Sequence, residues 1–305
     1  MRILIVGAGS TGGYFGGRLA EAGRDVTFLV RPARAAQLVA GGLQIQSPHG
    51  DVTLAPQLVT AGTITGSFDA VLVTIKAFSL EQALDDFAPA VGPETMVLPV
   101  LNGMKHVNRL ARRFGERAVV GCVCKVATVL DEKGRIVQLA PFHELVYGEL
   151  NGIPSLRTDQ LDSVMQGAGF DARLSQTIER EMWEKWVLLA TMGGITCMMR
   201  GNVGEIETAP GGLDFIHRFL DEVVSVVTAV GHPPSNDFRA KATAMLTEKG
   251  SSQTSSMYRD LQKGSPIEAD QIIGDILARA QPAHVPTPLL AAAYTHLSVY
   301  QSRIS

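Results

Sequence analysis

At 305 residues, with 46% hydrophobic and 19% charged side chains, the chain is long enough for two domains and has an ordinary globular balance. A net charge of -3 without any Lys/Arg run argues against nucleic acid or an anionic membrane surface as the main partner. The three cysteines, Cys122, Cys124 and Cys197, form no CxxC pair and are read as buried thiols of a reduced, cytoplasmic protein.

Along the chain, RILIV (2–6) is a short apolar run that stops at Gly7, and it is too short and too soon broken by glycine for a secretory signal. Tyr14, Phe15, Arg18, Leu19 and Ala22 follow at helical spacing, Gly23 supplies a stop, and DVTFLV runs on to Arg31. Strand, glycine turn, helix and strand make the opening βαβ unit of a parallel sheet. Further strands are expected in LQIQS, VTLAP, AVLVTIK, TMVLPVLNG, VVGCVCKVATV, RIVQLA and ELVYGEL, several of them continuous apolar runs suited to burial on both faces. From about residue 175 helical periodicity takes over, over 215–231, where Pro233 and Pro234 follow, and again over 236–249, 268–281 and 287–302. The expected architecture is α/β: a domain built on a parallel sheet over 1–174, then a mostly helical domain over 175–305.

GAGSTG (Gly7, Ala8, Gly9, Ser10, Thr11, Gly12) fits the G-x-G-x-x-G pattern between a strand and a helix. In that setting Gly7 permits the tight turn, Gly9 lets backbone approach a pyrophosphate, and Gly12 allows close helix–strand packing. The helix N-terminus then offers N–H groups to phosphate. Where an NAD site would carry an acidic residue, the second strand ends at Arg31, with Arg34 nearby; a guanidinium there suits the 2′-phosphate of NADP. A loop-surface role for Arg31 is the alternative.

One charge stands out. Fourteen uncharged residues run from Trp186 to Met199, with Lys185 before them and Arg200 after. Lys185 is either a stem snorkelling at the end of a buried helix or a proton donor. The stretch is too short to span a membrane, which takes about 20 apolar residues. Metal chemistry has little support, since the seven histidines form no HxH or HExxH pair, and the glycine turn lacks a GK[ST] ending.

Six segments together resemble the ketopantoate reductase (2-dehydropantoate 2-reductase) family: GAGSTG, LVTIKA around Lys76, LNGM around Asn102, MWEKW around Lys185, SSMYRDL around Ser256, and GSPIEADQIIG around Glu268. The resemblance spans nearly the whole chain. It implies an oxidoreductase that binds NADPH on a Rossmann domain and reduces a 2-oxo acid, nominally ketopantoate in pantothenate synthesis. By that resemblance Lys185 is the general acid, a cation with a transferable proton that arginine would not supply. Glu268 would bond near Lys185 and the cofactor or substrate. Ser256 would hold substrate polar groups, although by itself it reads as an N-cap. Lys76 and Asn102 sit just after strand ends, where doubly wound sheets place ligand contacts, while Asn102 is equally a turn former before Gly103. Ala127 matches a backbone contact to the cofactor.

The chain also departs from the family, whose substrate-binding asparagines fall here on Leu189, Gly193, Val203 (with Asn202 adjacent) and Ile273. Arg200 or Lys125 are candidates for clamping a carboxylate in their place. Two other functions therefore stand beside ketopantoate reduction: a reductase of a different, more apolar 2-oxo acid or ketone, and a non-catalytic NADP-binding sensor. The apolar helices are compatible with a homodimer.

Overall fold

The structure is a computed structural model that describes residues 1–304. Its elements in chain order are β1 (Arg2–Val6), α1 (Ser10–Glu21), β2 (Asp25–Leu29), α2 (Pro32–Gly41), β3 (Leu43–Gln46), β4 (Val52–Leu54), β5 (Gln57–Val59) and β6 (Phe68–Val73). They continue with α3 (Leu80–Phe87), β7 (Val91–Pro99), α4 (Lys105–Phe114), β8 (Val120–Leu130), β9 (Ile136–Glu149), α5 (Leu156–Met165) and β10 (Asp171–Leu174). Helices complete the chain: α6 (Ile178–Met199), α7 (Val203–Thr208), α8 (Gly212–Ala229), α9 (Asn236–Leu246), α10 (Ser256–Gln262), α11 (Asp275–Ala280) and α12 (Pro288–Ile304). Two compact units result, one of Met1–Leu101 with His106–Glu179, the other of Asn102–Lys105 with the chain from Arg180 onward.

The first unit holds a parallel sheet in the order β5-β2-β1-β6-β7. Ile3–Val6 of β1 and Ala70–Val73 of β6 are continuous apolar runs because both faces are covered. Ile3 and Ile5 join Tyr14, Phe15 and Leu19 of α1 in one core, whereas Leu4 and Val6 join Leu80, Leu84 and Phe87 of α3 in the other. A second sheet, β10-β9-β3-β4 with β8 on β9, packs against the same α1. The α1 sequence STGGYFGGRLAE brings its glycines to these contacts: a Cβ at Gly13 would fall 2.4 Å from Ile136 Cδ1, and one at Gly17 2.7 Å from Ile45 Cδ1.

Three strands differ from expectation. RIVQLA and ELVYGEL are one strand, β9, carried across Pro141 with residues 139–142 set opposite a register break in β8. The short strands β5 and β10 add to the two sheets beyond the strands expected from sequence.

In the second unit, α6 is buried along most of its length from several sides, which explains its uncharged run. A Cβ at Gly194 would meet the Phe219 ring of α8 at 2.1 Å, and the Trp186 indole reaches the segment before α11. That segment, Asp270–Gly274, is a π turn in which the Asp275 N–H bonds the Asp270 carbonyl, five residues back. The helix expected over 268–281 is thus a π turn followed by α11. Among the described residues no helix is long and apolar enough to cross a membrane.

Candidate active site

The glycine turn is held by groups around it. Gly7 has φ +96°, a conformation L side chains rarely adopt, and its N–H donates to the Leu29 carbonyl at 2.9 Å. The Thr74 hydroxyl, just past β6, lies 2.9 Å from the Val6 carbonyl and 3.0 Å from the Gly7 carbonyl, so it pins the turn to the neighbouring strand. Gly12 packs against both: a Cβ there would fall 2.0 Å from Thr74 Oγ1 and 2.2 Å from the Gly7 carbonyl oxygen. Gly9, the N-cap of α1, is the opposite case, with ordinary φ and nothing within 4 Å of where a Cβ would stand. Ser10 and Thr11 form the first turn of α1, half-buried, and no acidic residue sits in that turn. An uncapped helix start with free N–H groups, positive dipole and no carboxylate suits an anion.

Arg31 and Arg34 separate in role. Arg31 is the exposed N-cap of α2, before Pro32. Arg34 turns inward: its Nε donates to the Ala8 carbonyl at 3.1 Å, and its Nη1 to the Gly134 carbonyl at 3.0 Å and to Gln37 at 2.5 Å. Burial pushes its guanidinium pKa below the usual arginine value. It buttresses the glycine turn from behind, a role that depends on Gly134, far along the chain, and that sequence reasoning missed. Lys76 is exposed before the short 77–79 turn. Ala127 falls in β8 between the paired residues Val126 and Thr128, where the ladder with β9 is broken, a place where bulges commonly expose backbone to ligands.

The remaining candidates lie in the second unit, and the residues next to Lys185 and Asn102, with the Glu268 carbonyl, touch the π turn. Lys185 is half-buried on α6. Beside it, Glu184 accepts from the N–H and hydroxyl of Ser235 at 2.8 and 2.7 Å, and Trp186 donates its indole N–H to the Ile272 carbonyl at 3.0 Å. Glu268 is buried, 7% exposed, so it is no surface glutamate, and its carbonyl accepts from the Ile272 N–H at 3.0 Å. Asn102 is half-buried, and Gly103 (φ +82°) lies so close to the turn that a Cβ would stand 2.7 Å from the Gln271 carbonyl oxygen. Ser256 is not the N-cap that its sequence suggests. Ser255 is, its Oγ accepting from the Tyr258 N–H at 2.9 Å and paired with Thr196 at 3.0 Å, which leaves Ser256 half-buried as the first residue of α10.

The positions expected to carry asparagine are apolar here. Leu189 is half-buried one turn after Lys185, and Ile273 is fully buried. At Gly193 a Cβ would meet the Met257 Cε at 2.8 Å, so a methionine methyl occupies space a side chain there would need. Val203 is fully buried, and Asn202 next to it caps α7: its side chain accepts from the Glu205 N–H at 2.8 Å while Glu205 accepts from the Asn202 N–H at 2.7 Å. That capping box engages the only amide nearby in sequence, worth about 1 kcal/mol to the helix. Lys125 pairs with Glu144 at 2.6 Å, and Arg200, with φ 56°, ends α6 exposed, its carbonyl held by the Tyr258 hydroxyl.

Comparison with known proteins places this arrangement. The profile of the family described as ketopantoate reductase PanE/ApbA matches residues 3–152, and that of its C-terminal part matches residues 177–301. The chain belongs to the ketopantoate reductase family. It is 35% identical to the uncharacterised oxidoreductase YkpB of Bacillus subtilis, over 99% of both chains. The crystal structure of 2-dehydropantoate 2-reductase from Methylococcus capsulatus superposes with a TM-score of 0.87 at 25% identity, covering 100% of this chain and 98% of that one. The ternary structure of D-mandelate dehydrogenase with NADH and anilino(oxo)acetate shares the fold, with a TM-score of 0.88 at 21% identity over 100% and 99% of the two chains. As a member of this family, the chain is an oxidoreductase.

Proposed function

We propose that the protein is an NADPH-dependent reductase of a 2-oxo acid, with 2-dehydropantoate as the first substrate to test and Lys185 as proton donor. The observation that carries this reading is the pairing of an open glycine turn at an uncapped helix start with a lysine on α6 braced on both sides by Glu184 and Trp186. The turn fits a dinucleotide: Gly7, its N–H already given to Leu29, would shape the turn, while Ala8, Gly9, Ser10, Thr11 and Gly12 would line the pyrophosphate with backbone. Arg31, exposed and uncommitted to the turn, would take the 2′-phosphate, with Lys76, Asn102 and the Ala127 backbone as further cofactor contacts. Bound there, NADPH supplies a hydride to the substrate's carbonyl carbon. Lys185 stabilises the negative charge that grows on the carbonyl oxygen and then delivers a proton to it. Glu268, buried and tied to the same turn as Trp186, would orient the lysine, the cofactor and the substrate. Ser256 and Asn102 would hold the substrate's polar groups.

Leu189, Ile273 and the Met257 methyl beside Gly193 favour a second reading: the same chemistry on a more apolar 2-oxo acid. Apolar groups in place of amides forfeit hydrogen bonds to a hydroxylated chain and welcome an aliphatic or aromatic one.

Loss of nicotinamide absorbance with purified protein tests both. NADPH and NADH are each run with ketopantoate and a panel of aliphatic and aromatic 2-oxo acids, with Lys185→Ala as control. Lys185-dependent turnover of ketopantoate supports the first reading, and preference for an apolar acid the second. Tight NADPH binding with no turnover of any acid refutes both and leaves a cofactor sensor.

A further inference from the structure

Lys185 is flanked by the chain's only two tryptophans, and their indoles are not equivalent. Trp186, 1% exposed, donates its Nε1–H to the Ile272 carbonyl at 3.0 Å. Trp183, 4% exposed, has a buried Nε1 with no hydrogen-bond partner among the described residues. The acceptor chosen by Trp186 is informative. Ile272 lies in the π turn, and its own N–H donates to the Glu268 carbonyl at 3.0 Å. Two hydrogen bonds in series therefore connect the residue after Lys185 to the backbone of Glu268. A turn widened from four-residue to five-residue bonding splays its carbonyls away from their usual partners, which lets one of them accept from another helix. The ring is also fixed on its face: the Arg279 guanidinium stands 5.4 Å from the Trp186 centroid and is bonded to Asp275 at 3.3 Å.

We propose that Trp186 is a positioning residue for the reduction, its indole N–H bond to Ile272 setting where the Lys185 ammonium stands relative to Glu268. The inference rests on the reading of Lys185 as proton donor. Helical residues rise 1.5 Å each, so a slide of α6 by part of a residue moves Lys185 by the same amount. Misplacement by about 1 Å is enough to cost on the order of 100-fold in rate. The π turn is the receiving end of this register.

The test is Trp186→Phe, which keeps an aromatic ring and removes the donor, compared with Trp183→Phe, which removes an indole N–H that has no partner. Both are measured as the NADPH-loaded enzyme with the 2-oxo acid it turns over fastest, alongside Lys185→Ala. Trp186→Phe is expected to lose about tenfold or more in kcat. Its KM for NADPH should change less than its kcat, because the glycine turn and Arg31 lie in the other unit and only Asn102 and Glu268, of the proposed cofactor contacts, share a unit with Trp186. Its solvent isotope effect on kcat should rise as proton delivery becomes limiting. Amide exchange over 268–276 should quicken, and Trp183→Phe, whose ring packs on Trp186 at 5.3 Å and stacks on His232, should lose far less kcat and leave the isotope effect unchanged. A Trp186→Phe enzyme with parental kcat while Lys185→Ala is inactive overturns the inference and spares the reading beneath it. A fall in kcat with an unchanged isotope effect and a matching loss of NADPH affinity also overturns it, since that is the mark of general loosening. Full turnover by Lys185→Ala overturns both.

Discussion

Two glycines that flank the start of α1 allow the cofactor turn to be tested without touching a charged group. Gly9→Ala adds a methyl where nothing stands within 4 Å, at φ -77°, which alanine adopts freely. Alanine is the poorer N-cap, costing roughly 0.5–1 kcal/mol, but it stiffens the unfolded chain and returns about 0.4–1 kcal/mol. The two effects offset, so the change in stability should stay under about 0.5 kcal/mol and the Tm shift under about 2 °C. A ligand backed onto that surface meets the methyl directly. Losing one or two charge-assisted hydrogen bonds to a pyrophosphate costs about 1.5–3 kcal/mol, roughly 10- to 100-fold in Kd. Gly12→Ala is the opposite case, because its Cβ would lie 2.2 Å from a backbone oxygen and 2.0 Å from Thr74 Oγ1. Adding Thr74→Ala removes the second clash and not the first, so the double variant should stay as unstable as Gly12→Ala, at about 3 kcal/mol or more. Thermal unfolding and calorimetric titration with NADPH measure both quantities on the same samples. A Gly9→Ala protein that binds NADPH as tightly as the parent would refute the claim that this turn receives the pyrophosphate.

Arg31→Ala should weaken NADPH binding about tenfold or more and leave NADH unchanged, whereas Arg34→Ala should weaken both by loosening the Ala8 carbonyl; equal losses from Arg31→Ala would exclude a 2′-phosphate contact. Leu189→Asn restores an amide one turn after Lys185 and should shift kcat/KM toward hydroxylated 2-oxo acids over apolar ones by about tenfold, read on the substrate panel; no shift would remove Leu189 from the substrate's surroundings. His143 is held below the ordinary histidine pKa by burial first and then by His49, whose ring stacks on it at 3.8 Å, with Arg18 adding to the effect and Asp171 opposing it. A depressed folded pKa means the unfolded chain binds the proton first, so this stability is complete above about pH 6.5 and is lost as pH falls below it toward the folded value. Urea midpoints at neutral and mildly acidic pH should therefore diverge less in His143→Asn than in the parent, and equal divergence would show that other groups set the acid slope.

What could be read from sequence was local. RILIV, the glycine turn, the α1 pattern and DVTFLV each carry their own signal within a few residues, and they assemble as the βαβ unit they suggest. The second sheet was less legible because β9 runs through Leu139, Ala140, Pro141 and Phe142, where the alternation fails and a proline interrupts it. β5 and β10, at three and four residues, are too short to show any period. Ser255 and Ser256 illustrate a finer limit: two adjacent serines have the same propensity to cap, and only the Tyr258 N–H and Thr196 decide which one does.

The same limit separates the candidate residues from what holds them. Lys185, Glu268 and Asn102 each announce themselves by residue type or short motif, yet the feature that links their segments has no pattern at all. Residues 268–281 read as an unbroken helix, because a π turn adds a single residue to one turn and leaves the apolar spacing almost intact. Its consequence appears only in three dimensions, where Trp186 finds the Ile272 carbonyl and Gly103 packs on the Gln271 backbone. The lone lysine at the head of an uncharged stretch thus stands where it does for a structural reason. Its helix is apolar because it is clasped by α8, α10 and the π turn, and that clasp is what would hold a half-buried ammonium steady enough to serve as a proton donor.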